Sequence, residues 1–146
     1  MLISFEELVE KAKNDLDITS DNLVEVSART GVDLLFYAEA RKNWTDHRDA
    51  LKQQLDKISR FLWLYYTGKG NADTLAKIGR KPFKIQLATK QDIDKFIISD
   101  DMYIDNEKQI TAAENVIKFL DEVIGAVKFR AQVVRNIIQE KTSLGA

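Results

Sequence analysis

Apolar residues recur at alternating spacings of four and three from Ala113 to Ile138, and this pattern restricts the fold more than any other feature of the chain. The spacing is that of one face of an α-helix, and it extends over about 39 Å at 1.5 Å per residue. Residues that interrupt helices are scarce, with one proline and six glycines in 146 residues. The sequence therefore predicts a mainly α-helical protein with long helices.

Capping signals mark where the first helices begin. Ser4 followed by Glu7 has the pattern of a capping box, and an amphipathic segment follows it. Thr19, Ser20 and Asp21 supply the next start signal, after which the helical pattern continues to Tyr66. We expect one long helix here, or two or three in series, because there are possible breaks at Gly31 and Asn43–Thr45.

The second half of this region forms a narrow apolar seam that ends at a glycine-rich turn. The seam residues follow a 4-3 spacing and are Leu51, Leu55, Ile58, Leu62 and Tyr65. Gly68 and Gly70 are typical of a helix C-terminus. After Pro82, the alternation of apolar and polar residues over residues 83–88 predicts a short edge strand or hairpin.

Two further helices are predicted after this strand. Thr89 with Asp92 caps a short helix over Ile93–Ile98, and the last helix begins at Asp101 or Ile104. We expect a single domain over residues 1–146, with residues 1–99 binding nucleic acid and residues 100–146 forming an oligomerisation helix.

The apolar stripe of the last helix is too long for one short partner helix to cover. It packs either against the long central helix of the same chain or against another subunit, and its length favours self-association. The residues predicted to join subunits are Ile117, Leu120, Ile124, Val127, Ala131, Val134 and Ile138.

Positive charge is concentrated between Lys57 and Lys90. This stretch has eight Lys or Arg and one acidic residue, although the whole chain has a net charge of -1. Folding does not require such segregation, whereas a surface that holds a polyanion does. On the helix before the turn, Lys57 and Arg60 lie opposite the apolar seam. Single-stranded nucleic acid binders combine such cations with aromatic faces on which bases stack.

Signals for catalysis, metal binding and membrane insertion are absent from the sequence. The chain has no cysteine, and its one histidine, His47, has a polar, solvated context. Gly68-Lys69-Gly70 lacks the upstream glycine and the Ser or Thr of a P-loop, and it follows a helix. No apolar run is long enough to span a bilayer. We expect a cytoplasmic protein without cofactor, metal or enzymatic activity.

Arg60–Gly70, with the sequence RFLWLYYTGKG, resembles the motif of the UvsY recombination mediators of T-even-type phages. Their motif has two basic residues one apart, a leucine, one further residue and Tyr-Tyr-Ser-Gly-basic-Gly. Residues 65–70 match it with Thr for Ser, Arg60 takes the place of the first basic residue, and Leu62 replaces the second. The order of features along the chain is similar as well.

This resemblance implies a non-catalytic protein that binds single-stranded DNA without sequence preference as a homo-oligomeric ring of six or seven subunits. It also implies two protein partners, a phage recombinase and a single-strand binding protein, in the cytoplasm of the host cell. Together with the charge pattern, it predicts a DNA-binding set: Lys57, Arg60, Tyr65, Tyr66, Lys69, Arg80, Lys81 and Lys84. The acidic stretch Asp92–Glu107 is a candidate surface for the protein partners.

The same sequence features also fit a function from a different class. A helical structural or adaptor protein would also have a long oligomerising stripe, and its basic turn would bind another protein instead of DNA. For both functions Tyr65 is ambiguous, because it lies on the apolar seam and is either packed or stacked on a base.

Overall fold

The structure is a computed structural model that describes residues 2–19 and 21–145, and it contains five helices in these ranges. In chain order they are α1 (Phe5–Asp15), α2 (Leu23–Tyr66), α3 (Ala72–Lys77), α4 (Lys90–Ile98) and α5 (Asp101–Gly145). The prediction of a mainly helical protein is confirmed. None of these helices has the combination of length and hydrophobicity that a bilayer-spanning segment needs.

Side chains cap two of the predicted helix starts, as the sequence indicates. The Ser4 side chain accepts a hydrogen bond from the Glu7 N–H at 3.2 Å, as expected for the capping box. Thr89 accepts from the Asp92 N–H at 3.2 Å and caps α4. Of the start signal before α2, Ser20 lies outside the described residues. The neighbouring Asn22 accepts a bond from the Thr19 N–H at 2.7 Å.

The long central segment is a single helix. α2 continues without interruption through Gly31 and Asn43–Thr45 for 44 residues, so the possible breaks do not occur. One glycine in a helix interior costs about 1 kcal/mol relative to alanine, which the packing of a long helix offsets.

The predicted strand is absent from the described residues, and helix α3, Ala72–Lys77, was not predicted. Residues 80–88 belong to neither a helix nor a strand, and the described residues contain no β-strand. An alternating sequence forms a strand only when a second strand supplies its hydrogen bonds, and the described part of the chain offers none. The Phe83 side chain packs in an aromatic cluster with Tyr66 instead, while the Ile85 side chain is exposed.

The chain divides into two compact units. Unit 1 comprises Met1–Asp46 and Ala113–Ala146, and unit 2 comprises His47–Ala112. Unit 1 therefore contains α1 and the first half of α2, together with most of α5. The buried side chains of its main core are Leu8, Ala12, Tyr37, Ala40, Val116, Leu120, Val123 and Val127.

This core also explains the 4-3 stripe of α5. Four of the residues predicted to join subunits, Ile117, Leu120, Val127 and Val134, are buried inside the single chain. Of the other three, Ile124 and Ala131 are half-buried and Ile138 is exposed. The packing of one chain therefore accounts for most of the stripe, and the role of this helix in oligomerisation stays a prediction.

A buried polar network crosses unit 1. Arg130, which is 2% exposed, donates hydrogen bonds to Asp33 at 3.0 Å, to Thr30 at 3.2 Å and to the Asp15 carbonyl. The Tyr37 hydroxyl donates to the Asp15 carboxylate at 2.7 Å. Burial alone would raise the pKa of Asp15, but bonds from Lys11 and Tyr37 hold it below its usual value. The network uses its charges internally and leaves little for a ligand.

Candidate nucleic-acid interface

The tyrosine-glycine motif forms the C-terminal turn of α2 in unit 2. Gly68 has a φ of 76°, the left-handed conformation that glycine adopts without strain. This conformation lets the Gly68 N–H bond to the Tyr65 carbonyl at 3.1 Å and the Lys69 N–H to the Leu64 carbonyl at 2.8 Å. The pair of bonds is a Schellman motif, which stops the helix and presents Lys69 at the surface.

The second glycine of the motif has a packing role. A Cβ atom at Gly70 would lie 3.2 Å from a methyl group of Leu75, which is buried at 2% exposure. A side chain at this position would require the Leu75 side chain to shift by a few tenths of an ångström, so glycine allows the close approach of α3 to the turn after α2. The two glycines thus have different roles: Gly68 terminates α2, and Gly70 allows α3 to pack close to the turn.

The two tyrosines of the motif belong to an aromatic cluster in unit 2. Ring centroids lie 5.0 Å apart between Tyr65 and Tyr66, 4.9 Å between Tyr66 and Phe83, and 5.3 Å between Tyr66 and Phe96. The Tyr65 hydroxyl also donates to the carbonyl of Lys81 at 2.9 Å. These contacts favour a packing role for both rings over a role in base stacking.

Arg80 and Tyr66 share one buried carboxylate. Arg80 donates two parallel hydrogen bonds to Asp100, at 2.8 and 2.6 Å, and the Tyr66 hydroxyl donates a third at 2.6 Å. The Met102 N–H donates a fourth, at 2.9 Å, from the first turn of α5. The Arg80 guanidinium also lies 4.9 Å from the ring centroid of Tyr65. The network therefore ties the turn after α2 and residues 80–83 to the start of α5.

These bonds shift the pKa values of all three groups. For Asp100, burial would raise the pKa, but the bonds from Arg80 and Tyr66 hold it below its ordinary value. Burial and the bond to Asp100 raise the pKa of Tyr66 to about 12. The bond to Asp100 also raises the pKa of Arg80. At neutral pH the network therefore consists of a carboxylate, a guanidinium and a neutral phenol.

The remaining predicted cations are at the surface. In the described part of the chain no carboxylate forms an ion pair with any of them. The five exposed residues are Lys57, Arg60, Lys69, Lys81 and Lys84. By contrast, Arg80 is largely shielded by Asp100, with a side-chain exposure of 20%. The structure therefore separates the predicted DNA-binding set into free surface cations and three internally bonded residues, Tyr65, Tyr66 and Arg80.

The neighbouring residues Leu62 and Trp63 of the motif differ in exposure. Leu62, which stands where the family pattern has a second basic residue, is 0% exposed and faces the interior of unit 2. Trp63 beside it is 40% exposed, and the Lys69 ammonium lies 5.3 Å from its ring centroid. Sequence reasoning did not include Trp63 among the site residues, although its position off the apolar seam was the available signal.

The fold and the surface define a mainly helical protein with exposed, unpaired cations in the segments before and after an aromatic cluster at the end of a long helix. A family model described as "Recombination, repair and ssDNA binding protein UvsY" matches residues 11–144. The chain belongs to the UvsY family, and the resemblance found in the motif is confirmed. No protein with a curated description matches the sequence significantly.

Solved structures of the bacteriophage T4 recombination mediator protein UvsY have the same fold. In one crystal lattice the TM-score is 0.82 at 16% identity, with 99% of each chain covered. A second lattice gives a TM-score of 0.81 at 16% identity, covering 96% of this chain and 98% of the T4 chain. In a third the score is 0.80 at 17% identity, with coverages of 96% and 99%. At such low identity the likeness concerns the fold.

Proposed function

We propose that this protein is a recombination mediator that binds single-stranded DNA and helps load a recombinase onto strands covered by a single-strand binding protein. The family description, which names recombination, repair and single-stranded DNA, supports this function. The observation that carries it is the set of exposed cations without acidic partners around the motif. These cations belong to the segment Lys57–Lys90, in which eight Lys or Arg occur with one acidic residue.

The exposed cations bind the phosphate backbone. Lys57 and Arg60 lie one turn apart on α2, while Lys69 follows at the helix end and Lys81 and Lys84 follow Arg80. Each neutralised phosphate releases condensed counterions, so binding strengthens at low salt and is independent of sequence. Arg80, Tyr65 and Tyr66 serve this surface indirectly, because their bonds to Asp100 and Lys81 hold its segments together.

In this proposal a second copy of the chain binds to the outward faces of α2 and α5. On α2, the side opposite the core carries Val24, Val32 and Leu35, which are 78, 69 and 73% exposed. A helix that is apolar on both sides is normally covered on both. On α5, the outward Phe129 is 69% exposed, next to Gly125, where a Cβ would meet nothing within 4 Å.

The two faces differ in the charged residues beside them. Glu25 and Glu39 are exposed near the apolar strip of α2, and Lys118 and Glu122 are exposed on the same side of α5 as Phe129. An α2 face against an α5 face is a head-to-tail contact between two different surfaces, which produces a ring when the rotation closes. A ring of six or seven subunits would repeat the DNA-binding surface, so that many weak contacts add up.

The mediator acts without catalysis in this proposal. Wrapping the strand along the repeated surfaces loosens the resident single-strand binding protein and presents DNA to the recombinase in the host cytoplasm. Exposed acidic residues at the start of α5, such as Asp101, Asp105 and Glu107, offer a surface to the protein partners. Asp100 is excluded from this role, because the Arg80 network occupies it.

Equilibrium binding to single-stranded oligonucleotides of increasing length tests the proposal. We expect affinity to increase with length and to fall steeply with salt, and no preference for base sequence. If the protein shows no length-dependent binding at low salt, the mediator function is wrong and the exposed apolar faces favour an oligomeric adaptor instead. Sedimentation of the protein with and without DNA measures the assembly independently.

A further inference from the structure

Trp63 is the aromatic residue of the motif that unit 2 leaves open to solvent. Its ring lines a groove of about 560 Å³ at the end of α2. Ile97, Ile98 and Tyr103 supply the apolar part of the lining, and Arg60 and Asp94 supply charged groups. A large aromatic side chain that is 40% exposed beside an apolar wall is an incomplete packing site, and a flat apolar ligand would complete it.

The charges of the groove favour a base over a phosphate. Asp94 carries a carboxylate into the lining, which repels a phosphate but accepts hydrogen bonds from N–H groups, and every nucleobase carries at least one such donor. Arg60 lies in the same groove, and Lys69 lies above the Trp63 ring at 5.3 Å. A base in the groove would therefore leave its phosphates beside two unpaired cations.

The contact between Lys69 and Trp63 does not prevent stacking. A cation–π contact at an exposed site is worth about a two- to fivefold preference. Stacking of a base on an aromatic side chain is worth about five- to 150-fold. A base can thus replace Lys69 at the ring, and the flexible lysine then moves to the adjoining phosphate. The two contacts exchange, and the net gain favours the DNA-bound state.

We propose that Trp63 is a base-stacking residue and that its groove accepts one nucleobase of the bound strand, without sequence preference. This inference rests on the proposed binding of single-stranded DNA and adds a contact to the bases that the cations alone do not supply. A protein segment docking in the same groove is the competing occupant, and it would leave DNA binding independent of Trp63.

Tryptophan fluorescence reports directly on this contact, because the chain has two tryptophans and the other lies in unit 1. Trp44 is half-buried and donates its indole N–H to the Ile3 carbonyl at 2.9 Å. In the Trp44→Phe variant, titration with oligo-dT at low salt should quench the emission of Trp63. In the Trp63→Phe variant the emission of Trp44 should stay unchanged while DNA still binds.

Affinity measurements complete the test. Trp63→Ala should weaken binding of oligo-dT at least about fivefold without changing the salt dependence. Leu64→Ala, which truncates an adjacent side chain of 44% exposure, is the matched control and should change affinity less than twofold. An abasic oligonucleotide of equal length should bind the unmodified protein more weakly, and Trp63→Ala should not weaken that binding further.

The outcomes separate this inference from the proposed function. Unquenched Trp63 emission on saturation with DNA, or equal affinity of the unmodified protein for normal and abasic strands, would overturn the stacking role while DNA binding stands. An absence of binding to either oligonucleotide would overturn both. Because the abasic comparison and the Trp44→Phe titration leave Trp63 intact, they remain decisive if Trp63→Ala does not fold.

Discussion

Asp100 shows how a single buried carboxylate decides the roles of the residues around it. Arg80 and Tyr66 have the side chains expected of DNA ligands, yet both bond to Asp100, whose side chain is 4% exposed. Removing one partner of such a pair leaves the other without compensation. In the proposed function these residues influence DNA binding through the position of the segments that they join, whereas Arg60 and Lys69 contact the DNA.

Asp100→Asn should lower the free energy of unfolding by about 2–3 kcal/mol at neutral pH. This lies at or below the lower end of the range of about 3–5 kcal/mol for breaking buried pairs, because Arg80 is near enough to the surface to be rehydrated. Urea denaturation measures the effect. Asp105→Asn, at an exposed position in the adjoining helix α5, is the control and should stay within about 0.5 kcal/mol of the unmodified protein. Equal stability of the two variants would contradict the structural role of Asp100.

The same network predicts a pH dependence. Because the pKa of Asp100 is lower in the folded protein than its ordinary value, its contribution is complete above about pH 4. The contribution is lost as pH falls through the lowered pKa, since protonation of the carboxylate weakens its bonds to Arg80 and Tyr66. The difference in unfolding free energy between the unmodified protein and Asp100→Asn should therefore shrink in acid. A difference that stays constant down to about pH 3 would contradict this assignment.

Elements differ in how far their sequences determine them. The capping pairs at Ser4 and Thr89 and the left-handed glycine at Gly68 act locally, so sequence predicted these helix ends. The strand at residues 83–88 was predicted from alternation alone and is absent, because a strand needs a partner that alternation does not reveal. The 4-3 spacing of α5 likewise showed an apolar face without showing what covers it.

Side chains of similar type were the hardest to place from sequence. Tyr65, Tyr66 and Trp63 occur within four residues, and only the packing of Phe83 and Phe96 shows which rings are enclosed. For the cations, the buried Asp100 lies 20 residues from Arg80 in sequence, beyond the reach of local patterns. Local chemistry therefore predicted four of the five described helices, whereas tertiary contacts showed which of the predicted site residues are bonded internally.

A charged substitution tests whether the outward face of α2 joins subunits. Leu35→Asp places a charge in the proposed contact, and it should lower the mass of the assembly in light scattering without loss of helix content. Leu35 is 73% exposed, so the folded single chain tolerates the change. Val127→Asp, at a fully buried position of α5, should instead unfold the protein. A folded Leu35→Asp variant with full mass would exclude this face as the subunit contact.

For the whole molecule, the segregation of charge is the property that links the fold to its function. The net charge is -1, yet the region Lys57–Lys90 has a large positive excess. Among the described residues of this region, the exposed cations Lys57, Arg60, Lys69, Lys81 and Lys84 form no ion pair, whereas the half-buried Arg80 pairs with Asp100. A near-neutral protein of this kind holds a polyanion on one surface and avoids nonspecific adhesion elsewhere.

The salt dependence of affinity for single-stranded DNA tests this account most directly. The logarithm of affinity should fall linearly with the logarithm of salt, with a slope of about -0.7 for each neutralised phosphate. Replacing Lys69 and Lys84 by alanine should make the slope shallower by about 0.7 for each phosphate that is no longer neutralised. Replacing Lys13 and Lys108, two exposed lysines outside this surface, should leave it unchanged. Equal slopes for both double variants, or affinity insensitive to salt, would contradict the assignment of DNA binding to the exposed cations around the motif.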